Sequence, residues 1–427
     1  MITVSVETHG CKLNQADSDN LVQGLLEAGC KVVGRDESAD VHVVNSCTVT
    51  HVADRKARKS LRAAKRVNPE ALIVATGCYA QRKPAELKNI PDIDLIVGND
   101  QKAKLVEKIL DMKVKDRASN VSNQKKHSYD SQVFRTRSAI KIQEGCNQVC
   151  SYCIVPKVRG REKSVPLDVL IEQVQNRIQL GFKEVVLTGT QLGTYGFDLN
   201  EANLESLIES ILTRTDLERL RISSLQPQEI TDGLLALWSD KRLCRHFHMP
   251  LQSGSVSVLN RMRRRYTPSL YEDVVNTIKT NLPDASITTD VIVGFPGETD
   301  MEFNDTVEFC KLMQFSDMHI FPYSIREGTT GYYLDGQIDS SVKNHRMDAM
   351  LKISSDTWTA FRLKHIGTVR DVLWERENVS TKTVMGLTDN YIKVISTGNN
   401  KLVNRIVPTK LIKIDEDRVL SQAMLTD

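Results

Sequence analysis

The pattern of apolar residues divides the chain into three regions. In the first two, strand-like and helix-like stretches alternate, and in the third only strand-like stretches follow one another. In the first region, short apolar runs at residues 2–6, 41–44 and 71–75 alternate with helix-like stretches at 16–28 and 52–67. This βαβαβ alternation predicts a parallel sheet flanked by helices.

The second region continues the alternation of strand-like and helix-like stretches. Its candidate strands are residues 139–143, 184–188, 219–223, 246–249, 286–293 and 318–323. Helical patterns lie between them at residues 167–180, 204–212, 231–238, 270–281 and 302–313. Repeated βα units of this kind predict a parallel sheet curved into a partial barrel, whose functional residues lie in the loops after the strands.

The third region, from Gly367 onward, alternates apolar and polar residues. Its candidate strands are residues 368–375, 383–387, 391–395, 404–408 and 411–414, separated by turn-forming residues. Several short strands in succession predict a small antiparallel barrel, a fold that commonly binds nucleic acid. Residues 113–131 are polar and nearly free of apolar periodicity, which indicates a linker between the first two regions.

Composition narrows the class of protein. The chain has 427 residues, of which 40% are hydrophobic and 26% charged, as expected of an ordinary globular protein. No apolar run approaches membrane-spanning length, and the N-terminus resembles a strand more than a signal peptide. We therefore expect a cytoplasmic protein with no membrane partner, in which cysteines bind metal more often than they form disulfides.

The net charge of +3 is too small to indicate a nucleic-acid partner by itself. Evidence for such a partner has to come from local clusters of basic residues, and one of these lies on the predicted helix at 52–67. A second consists of four arginines with an adjacent aromatic residue: Arg261, Arg263, Arg264, Arg265 and Tyr266. Each cluster could contact RNA phosphates or could be an ordinary solvated surface.

Three cysteines in a C-x3-C-x2-C spacing follow the first strand of the second region. Cys146, Cys150 and Cys153 could hold three corners of a cubic iron–sulfur cluster, which leaves the fourth corner open to bind a substrate. Zinc is the main alternative, but a structural zinc site needs four ligands, and no second cysteine pair lies nearby. Unliganded thiols that cluster by chance are the remaining interpretation.

Three further cysteines each follow an apolar run of the first region: Cys11, Cys47 and Cys78. In a parallel sheet the carboxyl ends of the strands share one edge, where ligands bind, so the topology should bring these thiols together. This predicts a second three-thiolate site, although each cysteine alone could be a small buried residue. Cys30, Cys244 and Cys310 lack such a setting, and we expect them to be packing residues.

Other predicted strand ends carry glycine and small polar residues, at 189–196, 250–255 and 294–298. Glycine permits tight turns and a close approach of a ligand to the backbone, so these loops indicate a cofactor pocket. His246 and His248 alternate within a strand, and we interpret them as structural.

These motifs resemble those of a known family. Tyr152 precedes the last cysteine of the loop, as an aromatic residue does in radical S-adenosylmethionine enzymes. The order of the three regions resembles that of the methylthiotransferases over essentially the whole chain. The resemblance implies an N-terminal domain at 1–112, a linker at 113–136, a radical S-adenosylmethionine domain at 137–365 and a TRAM barrel at 366–427.

The resemblance also implies cofactors and their residues. Cys146, Cys150 and Cys153 would hold the 4Fe–4S cluster that binds S-adenosylmethionine, and Cys11, Cys47 and Cys78 would hold an auxiliary 4Fe–4S cluster. The residues expected to contact the S-adenosylmethionine are Tyr152, Gln252, Ser253 and Gly294.

Short signatures at residues 9–15, 76–81 and 386–391 resemble those of the subgroup that acts on threonylcarbamoyladenosine in tRNA. This implies a cytoplasmic enzyme that adds a methylthio group to adenosine 37, with the tRNA anticodon stem-loop and a low-potential electron donor such as flavodoxin or ferredoxin as partners. The same chemistry on isopentenyladenosine or on a ribosomal-protein aspartate is an alternative. A non-catalytic RNA-binding protein that contains a structural metal is another.

Overall fold

The structure is a computed structural model that describes residues 1–117, 136–397 and 400–424. It divides into two compact units. The first, here called the N-terminal unit, contains residues 1–117 together with Glu144–Gln148 and Cys153–Glu162. The second, here called the barrel unit, contains the other described residues. Within the parts of the chain that the structure describes, no helix is both long enough and apolar enough to cross a membrane.

A five-stranded parallel sheet in the order β2-β1-β3-β4-β5 forms the centre of the N-terminal unit. The strands are β1 (Thr3–Thr8), β2 (Lys31–Val33), β3 (Val41–Ser46), β4 (Leu72–Gly77) and β5 (Leu95–Val97). The helices are α1 (Lys12–Glu27), α2 (His51–Val67), α3 (Cys78–Arg82), α4 (Pro84–Lys88) and α5 (Leu105–Arg117). The predicted parallel sheet is confirmed, and helices cover both of its faces, so β3 and β4 are buried along their whole length.

Helix α5 continues to Arg117, into the segment at 113–136 that the sequence predicts to be a linker. The rest of that segment, up to residue 135, lies outside the described residues. The chain then forms β6 (Arg137–Lys141), β7 (Gln143–Glu144), α6 (Val155–Arg159) and β8 (Lys163–Ser164).

Six parallel strands form the partial barrel of the barrel unit, as the alternation predicts. They are β6, β9 (Glu184–Thr188), β10 (Arg219–Ile222), β11 (His246–His248), β12 (Ser286–Val293) and β13 (Asp317–Pro322). β6, β9 and β10 form one ladder and β11, β12 and β13 another, and two isolated parallel bridges, Leu220 to Leu243 and Ser224 to His248, join them.

Helices cover the outer face of this sheet. They are α7 (Leu167–Gln179), α8 (Leu204–Arg214), α9 (Asp232–Ala236), α10 (Val256–Arg261), α11 (Pro268–Asn281), α12 (Asp300–Met313) and α13 (Ser340–Leu363). Alternate strand residues such as Val291 and Ile320 pack with them in one apolar core. The residues between these, such as Asp290 and His319, face the opposite side. We call the space enclosed by that side the lumen.

The C-terminal strands close into a five-stranded barrel in the order β14-β15-β16-β18-β17. They are β14 (Val369–Asn378), β15 (Thr383–Thr388), β16 (Lys393–Thr397), β17 (Ile406–Asp415) and β18 (Arg418–Ala423). The small barrel is confirmed, with two differences from the predicted strands. The two predicted strands at 404–408 and 411–414 are one strand, β17, which begins at Ile406. The sequence pattern also misses β18, which runs parallel to β16.

A turn of this small barrel closes the amino-terminal end of the lumen. Arg221 on β10 is fully buried and donates to the carbonyl groups of Thr388 and Asp389, at 3.2 and 2.9 Å. The Tyr391 ring stacks on His246 of β11 with a centroid distance of 4.2 Å. Glu184 of β9 pairs with both Arg221 and Arg219, at 2.7 and 3.1 Å, so two buried guanidinium groups beneath the lumen share one carboxylate.

Candidate metal centres and cofactor site

The three cysteines of the first region lie together at the carboxyl edge of the N-terminal sheet. Cys11 precedes α1, Cys47 directly follows β3, and Cys78 begins α3 directly after β4. Cys47 interacts electrostatically with both Cys11 and Cys78. The structure therefore brings together the three thiols that the topology predicts to meet.

Two glycines make this close approach possible. A Cβ atom on Gly10 would lie 2.6 Å from the Cβ and 3.2 Å from the Sγ of Cys47, and the φ of Gly10 is +106°. A Cβ atom on Gly77, whose φ is +93°, would lie 2.5 Å from the Ser46 carbonyl oxygen. Only glycine fits both the space and the conformation at these positions.

The arrangement of the three thiols is compatible with a metal cluster. Burial raises the pKa of Cys47 to about 12, so a cation would be needed to stabilise its thiolate. Cys11 is exposed and directly precedes the 16-residue helix α1. Three thiolates here fit three corners of a 4Fe–4S cluster.

A buried arginine, which the sequence reasoning missed, lies beside these thiols. The Arg159 guanidinium donates to Asn14 and, at 3.1 and 2.6 Å, to the carboxylates of Asp17 and Glu144. Burial alone would lower the pKa of Arg159, but Cys78, Asp17 and Glu144 raise it, so the guanidinium stays charged. It provides a fixed positive charge next to the candidate cluster ligands.

Two further polar side chains complete the surroundings of Cys78. Asn99 directs its amide at the Cys78 sulfur at 3.6 Å and also donates to the Val158 carbonyl at 2.8 Å. Lys102 pairs with Asp17 at 2.9 Å, which gives that carboxylate two cationic partners. Amide donors and nearby cations are the features that tune iron–sulfur sites.

The C-x3-C-x2-C loop is anchored at its first cysteine within the N-terminal unit. Cys146 is buried, and its backbone N–H donates to the Gly160 carbonyl at 3.1 Å. The Gln148 backbone N–H points at the Cys146 sulfur at 3.4 Å, an arrangement that suits a thiolate ligand. Gly145 has a φ of +80°, and a Cβ atom there would lie 1.9 Å from the Arg161 carbonyl oxygen, so the turn requires glycine.

The middle of the loop is held within the barrel unit by Arg264. Its guanidinium lies 3.4 Å from the Cys150 sulfur and 3.4 Å from the Tyr152 hydroxyl, and it also donates to Gln226 at 3.1 Å. Ser151 donates its hydroxyl to the Arg261 carbonyl at 2.7 Å. The covalent spacing keeps all three thiols within residues 146–153, and the donors directed at two of them fit a cluster.

This geometry changes the interpretation of the arginine-rich cluster. Arg264 serves the cysteine loop, and Arg261 forms a bidentate pair with Glu302 at 2.8 Å. Tyr266 is only 5% exposed and donates to the carbonyls of Pro250 and Leu251, so it is unavailable to stack on a base. Only Arg263 and Arg265 have exposed side chains.

The residues predicted to contact S-adenosylmethionine lie on strand ends of the partial barrel. Gln252 has a φ of +65°, and its backbone pairs with β12 through Asp290 and Ile292. Ser253 is buried and bonds Thr306 at 3.0 Å, which fixes the turn. Gly294 follows β12, with its N–H 2.6 Å from the buried Glu298 carboxylate.

The fourth predicted residue, Tyr152, packs against the apolar group that contains Ile292. The role of Tyr152, Gln252, Ser253 and Gly294 as cofactor contacts stays a prediction.

A polar chain that the sequence analysis did not identify runs across the lumen below the cysteine loop. Gln143 accepts from the backbone N–H groups of Thr190 and Gln191, both at 3.0 Å. Gln191 in turn bonds Gln226 and Glu229. Burial raises the pKa of Glu229, against the lowering effect of these hydrogen bonds. Gln143, Gln191 and Gln226 follow different strands and are far apart in the sequence, so no local motif predicts this network.

A second lumen group combines two histidines and an aspartate. His248 lies 3.3 Å and His319 lies 3.2 Å from the Asp290 carboxylate oxygens, and the ligand atoms of the three residues lie within 4.8 Å of one another. Burial by itself would raise the pKa of Asp290, but hydrogen bonds from the two histidines hold it well below its usual range. Such a group could hold a divalent cation or a polar ligand.

The expectation that His246 and His248 are both structural holds for His246, which bonds Thr288 and stacks on Tyr391. His248 instead belongs to the lumen group. The packing role expected of Cys30, Cys244 and Cys310 agrees with the structure, since all three are buried. Cys30 and Cys310 lie in apolar cores, and Cys244 lies beside Glu184.

Comparison with known proteins agrees with this geometry. Residues 3–98 match a family described as "Uncharacterized protein family UPF0004", and residues 140–310 match the radical SAM superfamily. The chain is 39% identical to threonylcarbamoyladenosine tRNA methylthiotransferase MtaB of Bacillus subtilis, over 97% of this chain and 94% of the relative. It is 40% identical to the protein of the same name from Aquifex aeolicus, over 92% and 97%.

More distant similarities are consistent with these. The chain is 32% identical to tRNA-2-methylthio-N(6)-dimethylallyladenosine synthase of Clostridium tetani, over 96% of this chain and 94% of the relative. Among solved structures, the radical S-adenosylmethionine methyltransferase TsrM of Kitasatospora setae is similar, with a TM-score of 0.55 and 15% identity over 75% of this chain and 73% of that one. This last likeness concerns the fold alone.

The fold and these sequence matches are those of a radical S-adenosylmethionine enzyme. The chain belongs to the radical SAM methylthiotransferase family. The cofactors of this family are S-adenosylmethionine and two 4Fe–4S clusters.

Proposed function

We propose that this protein converts N6-threonylcarbamoyladenosine at position 37 of tRNA to its 2-methylthio derivative. The observation that carries the proposal is the near-complete alignment, at 39–40% identity, with relatives that are named for this substrate. Relatives named for dimethylallyladenosine align over a similar length at 32–33% identity. The substrate therefore follows the more similar subgroup.

The six candidate cysteines divide between two roles. Cys146, Cys150 and Cys153 would hold the cluster that binds S-adenosylmethionine, and Cys11, Cys47 and Cys78 would hold the auxiliary cluster. When bound, these cofactors supply radical cleavage of S-adenosylmethionine and the sulfur that is transferred. The protein positions the reactants and excludes water.

Surrounding side chains would support each cluster. Arg264 orients the cysteine loop through Cys150 and Tyr152, and Gly145 allows its tight turn. Arg159 and Asn99 stabilise negative charge at the auxiliary thiols. Within the barrel unit, the Gln143–Gln191–Gln226–Glu229 chain keeps this part of the lumen rigid because its members bond one another.

The tRNA anticodon stem-loop is the proposed macromolecular partner. Exposed cations on one helix support it, because neighbouring positive charges attract the phosphate backbone. They lie on α2 and are Arg55, Lys56, Lys59, Arg62 and Arg66. A low-potential donor such as flavodoxin or ferredoxin would supply the electron that starts the reaction.

Mass spectrometry of tRNA nucleosides from cells that lack this gene tests the proposal. We expect methylthio-threonylcarbamoyladenosine to disappear and threonylcarbamoyladenosine to accumulate. The wild-type gene should restore the product, and Cys47→Ala or Cys150→Ala variants should not. An unchanged level of the product, or loss of the methylthio derivative of isopentenyladenosine in its place, would refute the assignment.

A further inference from the structure

The lumen of the partial barrel is organised in layers along β12. Thr288, Asp290 and Ile292 alternate with residues that face the helices, so their side chains follow one another about 6–7 Å apart. Thr288 belongs to the floor, because its hydroxyl bonds His246, which Tyr391 covers. Ile292 belongs to the upper layer, because it packs in the group that includes Tyr152 of the cysteine loop.

Asp290 lies in the layer between these two, where it holds a pair of histidines. The His248 Nε2 and the His319 Nδ1 lie 3.3 and 3.2 Å from the two Asp290 oxygens, and the His248 Nδ1 lies 2.9 Å from the Thr288 hydroxyl. The layer therefore offers imidazole and carboxylate groups that can hydrogen-bond a polar ligand.

This layer is open on the side of β13. The His319 side chain is 57% exposed, and the Asp290 side chain is 27% exposed. Phe321, two residues further along the same face of β13, is 42% exposed. An exposed aromatic ring beside a charged polar group is the combination that binds a nucleobase with a polar substituent.

The chemistry of the proposed substrate matches the group formed by His248, Asp290 and His319. Threonylcarbamoyladenosine carries on N6 a carboxylate and a hydroxyl group, whereas the isopentenyl group is apolar. A charge-assisted hydrogen bond to a carboxylate is among the stronger polar contacts in proteins. A site built for such a group rejects a neutral analogue, because its polar groups would then be left unpaired.

We propose that His248, Asp290 and His319 form the site that recognises the carboxylate-bearing N6 substituent of the substrate adenosine, with Phe321 stacking on the purine. The proposal rests on the function proposed above and assigns its substrate specificity to three side chains. His319 pairs with the carboxylate, and Asp290, supported by His248, holds the imidazole in place. In this role Asp290 and His248 are positioning residues.

The test compares anticodon stem-loop RNAs that carry threonylcarbamoyladenosine, its methyl ester or isopentenyladenosine. Each is offered to the reconstituted full-length enzyme with S-adenosylmethionine and reductant, and kcat/KM is measured by mass spectrometry of the nucleosides. The variant is His319→Gln, and the matched control is His345→Gln, which alters an exposed histidine on α13. Iron content and the formation of 5′-deoxyadenosine report whether each protein is intact.

We expect the wild type and the control to prefer the free acid over its ester by about tenfold or more. In His319→Gln the ratio of kcat/KM for the free acid to that for the ester should fall to near one, because the imidazole interacts more strongly with the carboxylate than with the ester. A merely structural histidine would instead lower both rates equally, and that result would overturn the inference. So would a wild-type enzyme that does not distinguish acid from ester, or a variant that still does.

Two other outcomes are separable from these. Zinc or extra iron that is bound by the wild type and lost in His319→Gln would show that the three residues hold a metal, which overturns the inference. A wild-type enzyme that modifies isopentenyladenosine and neither threonylcarbamoyl substrate would refute the proposed function itself, and this result needs no variant to detect.

Discussion

Replacing Arg159 by Met removes a buried positive charge from beside the auxiliary cysteines. The guanidinium side chain is 2% exposed and serves Asn14, Asp17 and Glu144 together. Loss of one member of a buried charge pair costs about 3–5 kcal/mol. Asp17 keeps Lys102 at 2.9 Å, so we expect a loss near the lower end, about 3 kcal/mol, or a Tm lower by about 6–12 °C.

The same substitution should lower the reduction potential of the cluster that Cys11, Cys47 and Cys78 are proposed to hold. In general, a unit charge at a separation of about 6 Å contributes about 3 kcal/mol at an effective dielectric constant of about 20. For a one-electron couple this is about 120 mV, and relaxation of the surroundings reduces the expected shift to about 50–120 mV. The shift is negative because the positive charge favours the added electron.

The assay is a redox titration followed by electron paramagnetic resonance. It uses a background in which Cys146, Cys150 and Cys153 are replaced by Ala, so that one cluster is observed. Arg159→Lys keeps the charge but loses the forked hydrogen bonds, and we expect it to lose stability while keeping most of the potential. Arg62→Met, on the exposed face of α2, is the neutral control. If Arg159→Met titrates within about 20 mV of wild type, the electrostatic reasoning is wrong.

Two further predictions concern Gly10, at the carboxyl edge of the N-terminal sheet, and Glu184, beneath the lumen of the partial barrel. Gly10→Ala should remove about half of the bound iron, because the new Cβ would lie 2.6 Å from that of Cys47, whereas Gly29→Ala, at a similar positive φ but in open space, should retain it. Burial would raise the pKa of Glu184, but the neighbouring arginines hold it at about 2, below the ordinary 4.5. Its stabilisation of about 3 kcal/mol is therefore complete above pH 4.5 and is lost between pH 4.5 and 2. Acid denaturation followed by circular dichroism should show this loss of stability in wild type. The control Glu218→Gln, which removes a more exposed ion pair with Lys183, should show the same loss. A Glu184→Gln protein with an unchanged pH dependence would contradict the assignment.

The sequence predicts the two groups of cysteines, one from a local spacing and the other from the alternation of strands and helices. A tight spacing keeps Cys146, Cys150 and Cys153 together, and parallel topology brings strand ends to one edge. Arg159 could not be found in this way, because the residues next to it in the sequence do not show whether its side chain is buried or exposed. The lumen groups have the same difficulty, because Asp290 and His319 are 29 residues apart and become neighbours only through the register of β12 and β13.

The sequence pattern wrongly divided β17 into two strands, because the strand contains a proline and an irregularity in its pairing. Pro408 lacks the N–H of an interior strand residue, so the pattern ends a strand there. In the structure β17 continues through it, and the Pro408 carbonyl accepts from Met424 at 2.8 Å. A register shift between Leu411 and Lys413 further disturbs the alternation. The partners of Arg261 and Arg264 could not be predicted for a similar reason, because Glu302 and Cys150 are distant from them in the sequence.

The turn at residues 388–391 has a consequence for how this chain can be divided. Without it, Arg219 and Arg221 would lose their carbonyl acceptors and His246 would lose its stacked ring. A shortened gene product that stops before residue 366 would then leave two arginines facing water through a hole in the bottom of the barrel. The last sixty or so residues are therefore part of the catalytic scaffold, and removing them tests folding as much as RNA affinity.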